Sequence, residues 1–498
     1  MMKRFLFAAM LVSMLFGISC KKDSVQPADD GRDAEKEILL RDSTYYYSLL
    51  FSLWEDELPQ PKADSQGNAD LKAFTNPYKT SEEVLDALRK YATDDRFSFV
   101  DRAGTVSEEI QQGVYKETGA TPIYITFIDE NNNSETNLYI KFVQKNSPAE
   151  KAGLKRGMKI VSIDGDTKLD YTTDEKQDFK NFYKVINGEG TINLVVQAAD
   201  ENKTKNISVS GAAYNIEPIT INKIFTVNGK KVGYLFYSSF VNVAGSSGPN
   251  SYYTGLVNAF KEFETANIDE LVVDLRYNGG GSTNSAELLA NLIAPTSVAK
   301  GKMYDYNVNK HLREAGWVDN SNPDAPFQSV NFNKTNSLNL PRVYFLGTSG
   351  TASASELVMN VLKPYMDVEI ITTNSRGTYG KPVGFFGYPV VDEYADLYIT
   401  SFQMINKDGF GDYFDGLKGS KTDAYDGFLT QLGEENESLL SSALNHIANG
   451  TYAKKASVRS TKTGEERLRE VELPKVDNHR NNMFKFSKER LPSLPIKN

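Results

Sequence analysis

Residues 343–363 read VYFLGTSGTASASELVMNVLK. The apolar run Val343 to Leu346 has the length of a buried strand, and Ala352 to Lys363 carries apolar residues at helical spacing. Only small residues lie between them. A strand passing through such a turn into a helix is the unit from which α/β sheets are assembled. The turn also sets a hydroxyl at a helix amino terminus, where unpaired amides and the helix dipole favour developing negative charge. Ser353 is therefore a candidate nucleophile. Taken alone, this stretch leaves an ordinary helix cap, the commonest fate of Ser in such a place, as the alternative.

The same rhythm continues on either side. Val232 to Phe240, Leu271 to Leu275, Val368 to Thr372 and Leu397 to Phe402 read as strands, and Tyr252 to Ala266 and Ser285 to Ile293 as helices. The alternation predicts crossovers and a largely parallel sheet. Two further turns stand out. Asp274-Leu275-Arg276-Tyr277-Asn278-Gly279-Gly280-Gly281-Ser282 ends a strand in three glycines, which let backbone amides approach a ligand closely. Such a turn can hold an oxyanion, and it can also be a plain turn. Gly377-Thr378-Tyr379-Gly380-Lys381-Pro382 is not a phosphate-binding loop, because Pro382 stands where that motif needs Ser or Thr. A lone loop lysine is ordinarily a solvated charge.

Upstream, 111–211 has the texture of short strands: Ile123 to Ile128, Leu138 to Val143, Lys159 to Ile163 and Ile192 to Gln197. Residues 147–165 follow the order S-P-A-x-x-A-G-L-x-x-G-x-x-I-x-x-I-D-G. This run resembles the centre of a PDZ domain, with the expected helix from Asp174 to Asn187 bordering the peptide groove. PDZ domains bind an extended peptide by adding it as a strand to a sheet edge. The glycine-rich carboxylate loop of that family is not evident. A β-domain that only spaces its neighbours is the alternative. Before it, Ile38 to Ala92 is helical in pattern, interrupted by a loop from Pro59 to Asn76, with Ser81 as the expected cap of the second helix. No evident chemistry sits in it.

Taken in order, the three turns behind a PDZ-like segment resemble the tail-specific, or carboxy-terminal processing, serine peptidases, over Gln111 to Gly433. The resemblance implies a multidomain α/β protein. A small helical N-terminal domain (34–110) would precede a PDZ-like β-domain with two helices (111–211) and a crotonase/Clp-like α/β catalytic domain (212–448). It implies Ser353 as nucleophile, Lys381 as general base, and the amides of Gly280 and Ala354 as oxyanion donors. Glu356, three residues after the nucleophile, would be a support. Some members carry Gln four residues after the lysine, and here that position is Phe385. The implied activity is endoproteolysis of unfolded polypeptides or accessible carboxy termini, without a cofactor. The rival reading is a peptide-binding receptor or adaptor on the same fold with an idle site.

Physical arguments narrow these readings. The chain has three histidines. None lies beside a nucleophile motif, although a Ser-His-Asp triad can assemble across a fold. A lysine base must be uncharged, so its pKa must fall from about 10.4 towards about 7 to 8, about 4 kcal/mol of disfavoured charge that only burial can supply. Asp408, Asp412, Asp415, Asp423 and Asp426 lack calcium-loop spacing and read as a solvated loop, so no metal is expected. A formal charge of -9 gives no reason to expect nucleic acid. At the start, Lys3 and Arg4 precede an apolar run from Phe5 to Ile18 that is too short to span a bilayer and fits an export signal over 1–19. Cys20, the only cysteine, resembles the lipid-attachment residue of bacterial lipoproteins, except that Gly17 replaces the usual Leu. An ordinary cleaved signal is the alternative. The reading is an exported protein anchored through lipid on Cys20, with a flexible tether over 20–33. Residues 449–498 form a basic extension that reads as a solvated face.

Overall fold

The computed structural model describes residues 31–63, 67, 69–128, 134–198, 203–245, 248–452, 467–471 and 483–484. The expected signal, Cys20, nearly all of the tether and His479 lie outside these residues. No described helix is long and apolar enough to cross a membrane.

The first helices are α1 (Gly31–Phe51), the short Lys72–Thr75 and α2 (Ser81–Leu88). The cap of α2 is Thr80 rather than Ser81. The Thr80 hydroxyl accepts from Glu83 N at 3.2 Å, while Ser81 is buried against the Thr44 hydroxyl. The chain then enters β1 (Phe99–Asp101), which pairs with a strand of the large domain described below.

Next comes a sheet built from β2 (Ala120–Ile128), β3 (Ser134–Val143), β4 (Lys159–Ile163), β5 (Thr191–Gln197) and β6 (Thr204–Ser210) in that order. Ser147 caps the helix Pro148–Ala152 through Glu150 N, and Gly153 closes it with φ +90°, as the sequence spacing requires. The helix expected from Asp174 to Asn187 is broken in two, Tyr171–Glu175 and α3 (Lys180–Asn187), with Phe179 at φ +57° between them. Asp174 is the reason. Its buried carboxylate accepts from Asn181 N and Phe182 N at 2.9 Å each, so it caps the second piece instead of continuing the first. Strand β6 escaped the sequence reading because Ile207 and Val209 are hidden among polar neighbours. Helix α3 lies on β2, where Phe182 stacks on Tyr124 at 5.9 Å.

The large domain follows with β7 (Ile219–Val227), β8 (Lys230–Tyr237), α4 (Ser251–Ala266), β9 (Glu270–Asp274), α5 (Thr283–Ile293), β10 (Lys302–Val308), β11 (Arg342–Gly347), α6 (Ala354–Leu362), β12 (Asp367–Thr372), β13 (Val383–Val390), β14 (Ala395–Asn406) and α7 (Ser438–Asn449). Its central sheet runs β12-β11-β9-β8-β7, parallel except for the β7–β8 hairpin. Side chains alternate across it. Leu235, Val273 and Phe345 pack into the core with α4, α5 and α6, and Tyr234, Val272 and Tyr344 into the one with α7. Both faces are therefore covered, which is why β9 and β11 are apolar throughout. A second sheet orders Gly281–Ser282, Met483–Phe484, β13, β14, β10 and Val330–Asn331, with β1 also paired to β14. The C-terminal extension is thus not wholly a solvated face. Residues 467–471 add a strand to β2, and Met483 and Phe484 are buried in the second sheet.

Candidate active site

The three turns singled out in the sequence leave the carboxyl ends of three adjacent parallel strands, β9, β11 and β12, where open α/β sheets place ligands. Hydrogen bonds join the first two turns. Thr348 Oγ1 donates to Arg276 O at 2.6 Å and Thr351 Oγ1 to Leu275 O at 2.8 Å. Ser355 Oγ donates to Asn278 O at 2.9 Å. The small residues around Ser353 are thus explained by close docking of one turn on the other.

Ser353 stands at the N-cap of α6 with φ +60° and ψ −111°, a conformation that is costly for a residue with a Cβ. It is 0% exposed, and its hydroxyl makes no hydrogen bond among the described residues. The hydroxyl faces the Glu356 backbone nitrogen as in a capping box, without a hydrogen bond of ordinary geometry. The other half of the box is a full hydrogen bond, with Ser353 N donating to Glu356 Oε2 at 2.8 Å.

Glu356 ties the second and third turns together. The same Oε2 accepts from Lys381 N at 2.9 Å, so the backbone nitrogens of Ser353 and Lys381 lie at most two hydrogen-bond lengths apart. Its Oε1 accepts from Gly380 N at 2.8 Å and from the Thr378 hydroxyl. Burial pushes this carboxyl above its ordinary value, although Thr378 and the three amides pull the other way. Lys381 is only 2% exposed. Its Nζ lies 4.4 Å from the Phe97 ring centre and 5.1 Å from that of Phe385. The amine is not waving in solvent, and Phe385, in the position of the missing Gln, forms one wall around it.

The oxyanion candidates differ from each other. Ala354 is the first residue of α6, so its amide has no partner within the helix. Gly280 N donates to Asn278 Oδ1 at 2.9 Å, so that amide can receive an oxyanion only by exchanging this bond. His446 Nδ1 bonds Tyr344 OH at 2.8 Å, and no described His bonds the Ser353 hydroxyl.

Two features had no sequence signal. The helical domain reaches the lysine turn, with Arg96 donating to Gly380 O at 3.2 Å and Phe97 covering the amine. Asp426, expected in a solvated loop, is buried between Arg156 of the β-domain at 2.7 Å and Arg276 at 3.0 Å. Arg276 also holds Asp274 and Glu437, at 2.7 Å each. Only a buried neighbour of opposite charge would have revealed this, and no local pattern encodes that. Between the β-domain and the large domain lies a cavity of roughly 620 Å³, lined by Gly119, Phe142, Tyr277, Gly280, Gly350 and Asn374 among others. No group of acidic, histidine or cysteine side chains able to hold a metal occurs among the described residues.

Comparison with known proteins fits this geometry. The family model for peptidase family S41 matches 231–414 and that for the PDZ domain 125–197. Residues 231–414 belong to peptidase family S41. All three turns lie in this S41 domain, and the β2–β5 sheet is the PDZ domain. The chain is 26% identical over 269 residues to the carboxy-terminal processing protease CtpB of Bacillus subtilis, covering 53% of this chain and 48% of that protein. It is 27% identical over 258 residues to a carboxyl-terminal-processing protease of Synechocystis, covering 50% and 51%. The chain spans about half the length of these curated relatives. A crystal structure of an S41 protein from Bacteroides fragilis superposes with a TM-score of 0.61 at 25% identity, covering 82% of this chain and 97% of that one.

Proposed function

We propose that the chain is a serine endopeptidase with a Ser-Lys pair, acting on unfolded polypeptides or accessible carboxy termini presented by the PDZ domain. The observation that carries this reading is the single Glu356 oxygen that holds the amides of both Ser353 and Lys381. In the reaction, Ser353 Oγ attacks the peptide carbonyl and its proton passes to the neutral Lys381 Nζ. That proton then leaves with the departing amine. Water attacks the acyl-serine, again giving its proton to Lys381, and the acid product departs as the serine proton returns. The amides of Ala354 and Gly280 would take the oxyanion, each contributing about 3 to 4 kcal/mol. Bonds of this kind often tighten only with substrate bound, which accommodates the unbonded Ser353 hydroxyl and the Asn278 bond to Gly280.

The domain division read from the sequence and an exported protein lipidated on Cys20 complete the proposal. Ser353→Ala and Lys381→Ala should each abolish cleavage of an unfolded protein while leaving the melting transition cooperative. Full activity in either variant would sink the assignment. The complete burial of Ser353 favours one other reading, an idle peptide-binding protein, in which a serine-reactive phosphonate would leave Ser353 unlabelled.

A further inference from the structure

The β2 edge of the PDZ sheet is not open. Residues 467–471 pair antiparallel with β2, Arg467 opposite Ile128 through Val471 opposite Tyr124. This is the edge beside α3, where a sheet-adding peptide would lie. The added strand runs toward Ala120, and the adjoining Gly119 and Thr121 line the cavity that reaches Gly279 and Gly280. The next described residues of the tail lie at that far end. Met483 and Phe484 pair in parallel with Gly281 and Ser282, and Phe484 packs on Phe385, 6.0 Å between ring centres. One segment of the chain therefore occupies both ends of a path from the PDZ edge to the catalytic turns, in a state where Ser353 is shielded and Gly280 N is engaged.

We infer that the C-terminal extension is a built-in competitor of substrate, holding the PDZ edge until a polypeptide strand displaces residues 467–471. This regulation rests on the peptidase reading, but occupancy of the edge is testable without catalysis. A tethered strand acts at an effective concentration of the millimolar order, so a free peptide at micromolar concentration cannot replace it.

The test is a full-length Leu468→Pro/Arg469→Pro chain. Neighbouring amides of a strand point to opposite sides, so one of the two prolines removes a bond to β2. A fluorescein-labelled peptide of residues 464–475 should bind this variant, on a Ser353→Ala background, at least ~10-fold more tightly than the same chain with its own tail intact. Equal binding to both, or binding to neither, overturns the inference. With Ser353 present, the proline variant should cleave an unfolded protein with a several-fold lower KM, and an unchanged or higher KM counts against competition. If neither chain cleaves anything while the peptide distinguishes them, the peptidase reading fails and the occupied edge stands. Should the proline variant not fold, a Thr126→Cys/Arg469→Cys pair at directly opposed positions decides. Its oxidised form should be less active than its reduced form and should exclude the peptide, and the absence of both differences overturns the inference.

Discussion

At the scale of single residues, Glu356 matters as much as the two groups it holds. A carboxylate oxygen accepts from two amides at once, whereas the nitrogen of Gln would face amide donors with further donors. Glu356→Gln should therefore lower kcat by about 100-fold, since a displacement near 1 Å is enough for that. Thr378→Val removes the hydroxyl that donates to Glu356 and accepts from Leu417 N at 2.8 Å, and with that buried amide left unpaired it should cost about 2 to 3 kcal/mol of stability, read from denaturant melts. The raised Glu356 carboxyl also fixes a sign. Between its ordinary value of 4.5 and its raised folded value, the folded state binds more protons than the unfolded one. Stability from this group thus falls as pH rises through that window. Melts of Glu356→Gln across the same range should lack that component. The strand-ending turns that carry Ser353 and Lys381 were legible from their composition, whereas the roles proposed for Ser353, Glu356 and Lys381 came only from the resemblance to the processing peptidases. The sequence could not reveal Phe97 above the amine, 284 residues being the separation of contacts such as Arg96 to Gly380.

At the scale of elements, the lysine turn is shaped by glycine. Gly380 has φ +90°, and a Cβ there would meet Phe414 O at 2.2 Å. Gly380→Ala must therefore both strain the backbone and push the turn off its neighbour. We expect a loss of about 2 to 3 kcal/mol together with reduced labelling of Ser353 by a phosphonate. Full stability with full labelling would show that the turn is not held this way. Strands with apolar runs, such as β9 and β11, were legible because both their faces are covered. Helix α3 was misjudged in length because Asp174, an acid in a first turn by local rules, serves a helix that starts after it. The β13 strand, with its internal glycines and Pro389, carries no clean alternation and was missed.

At the scale of the whole molecule, the PDZ domain is fastened to the large domain by Arg156. Its guanidinium bonds Asp426 at 2.7 Å, Thr430 O at 3.0 Å and the Tyr277 hydroxyl, one residue before the Asn278 that engages Gly280. Burial pushes Asp426 up, but Arg156 and Arg276 more than reverse this and hold it well below the usual range. The stability it contributes is present above the ordinary carboxylate value and is lost only in strong acid. Arg156→Leu should cost about 3 kcal/mol, because a buried charge loses a partner, and should move acid unfolding to higher pH. Unchanged acid unfolding would mean that Arg276 alone suffices. Domain order was readable from sequence because each domain carries its own periodicity. The return of the tail to the first sheet was not, since strand addition by backbone bonds leaves little trace in side-chain pattern.

The backbone of Ser353 carries one more implication. At φ +60° and ψ −111° only glycine sits comfortably. A chain with glycine at 353 should melt above one with alanine there, and could outlast the serine parent as well. The residue that gives the chain its proposed chemistry is then one that folding alone would discard, so drift toward a sturdier, silent protein is a single substitution away.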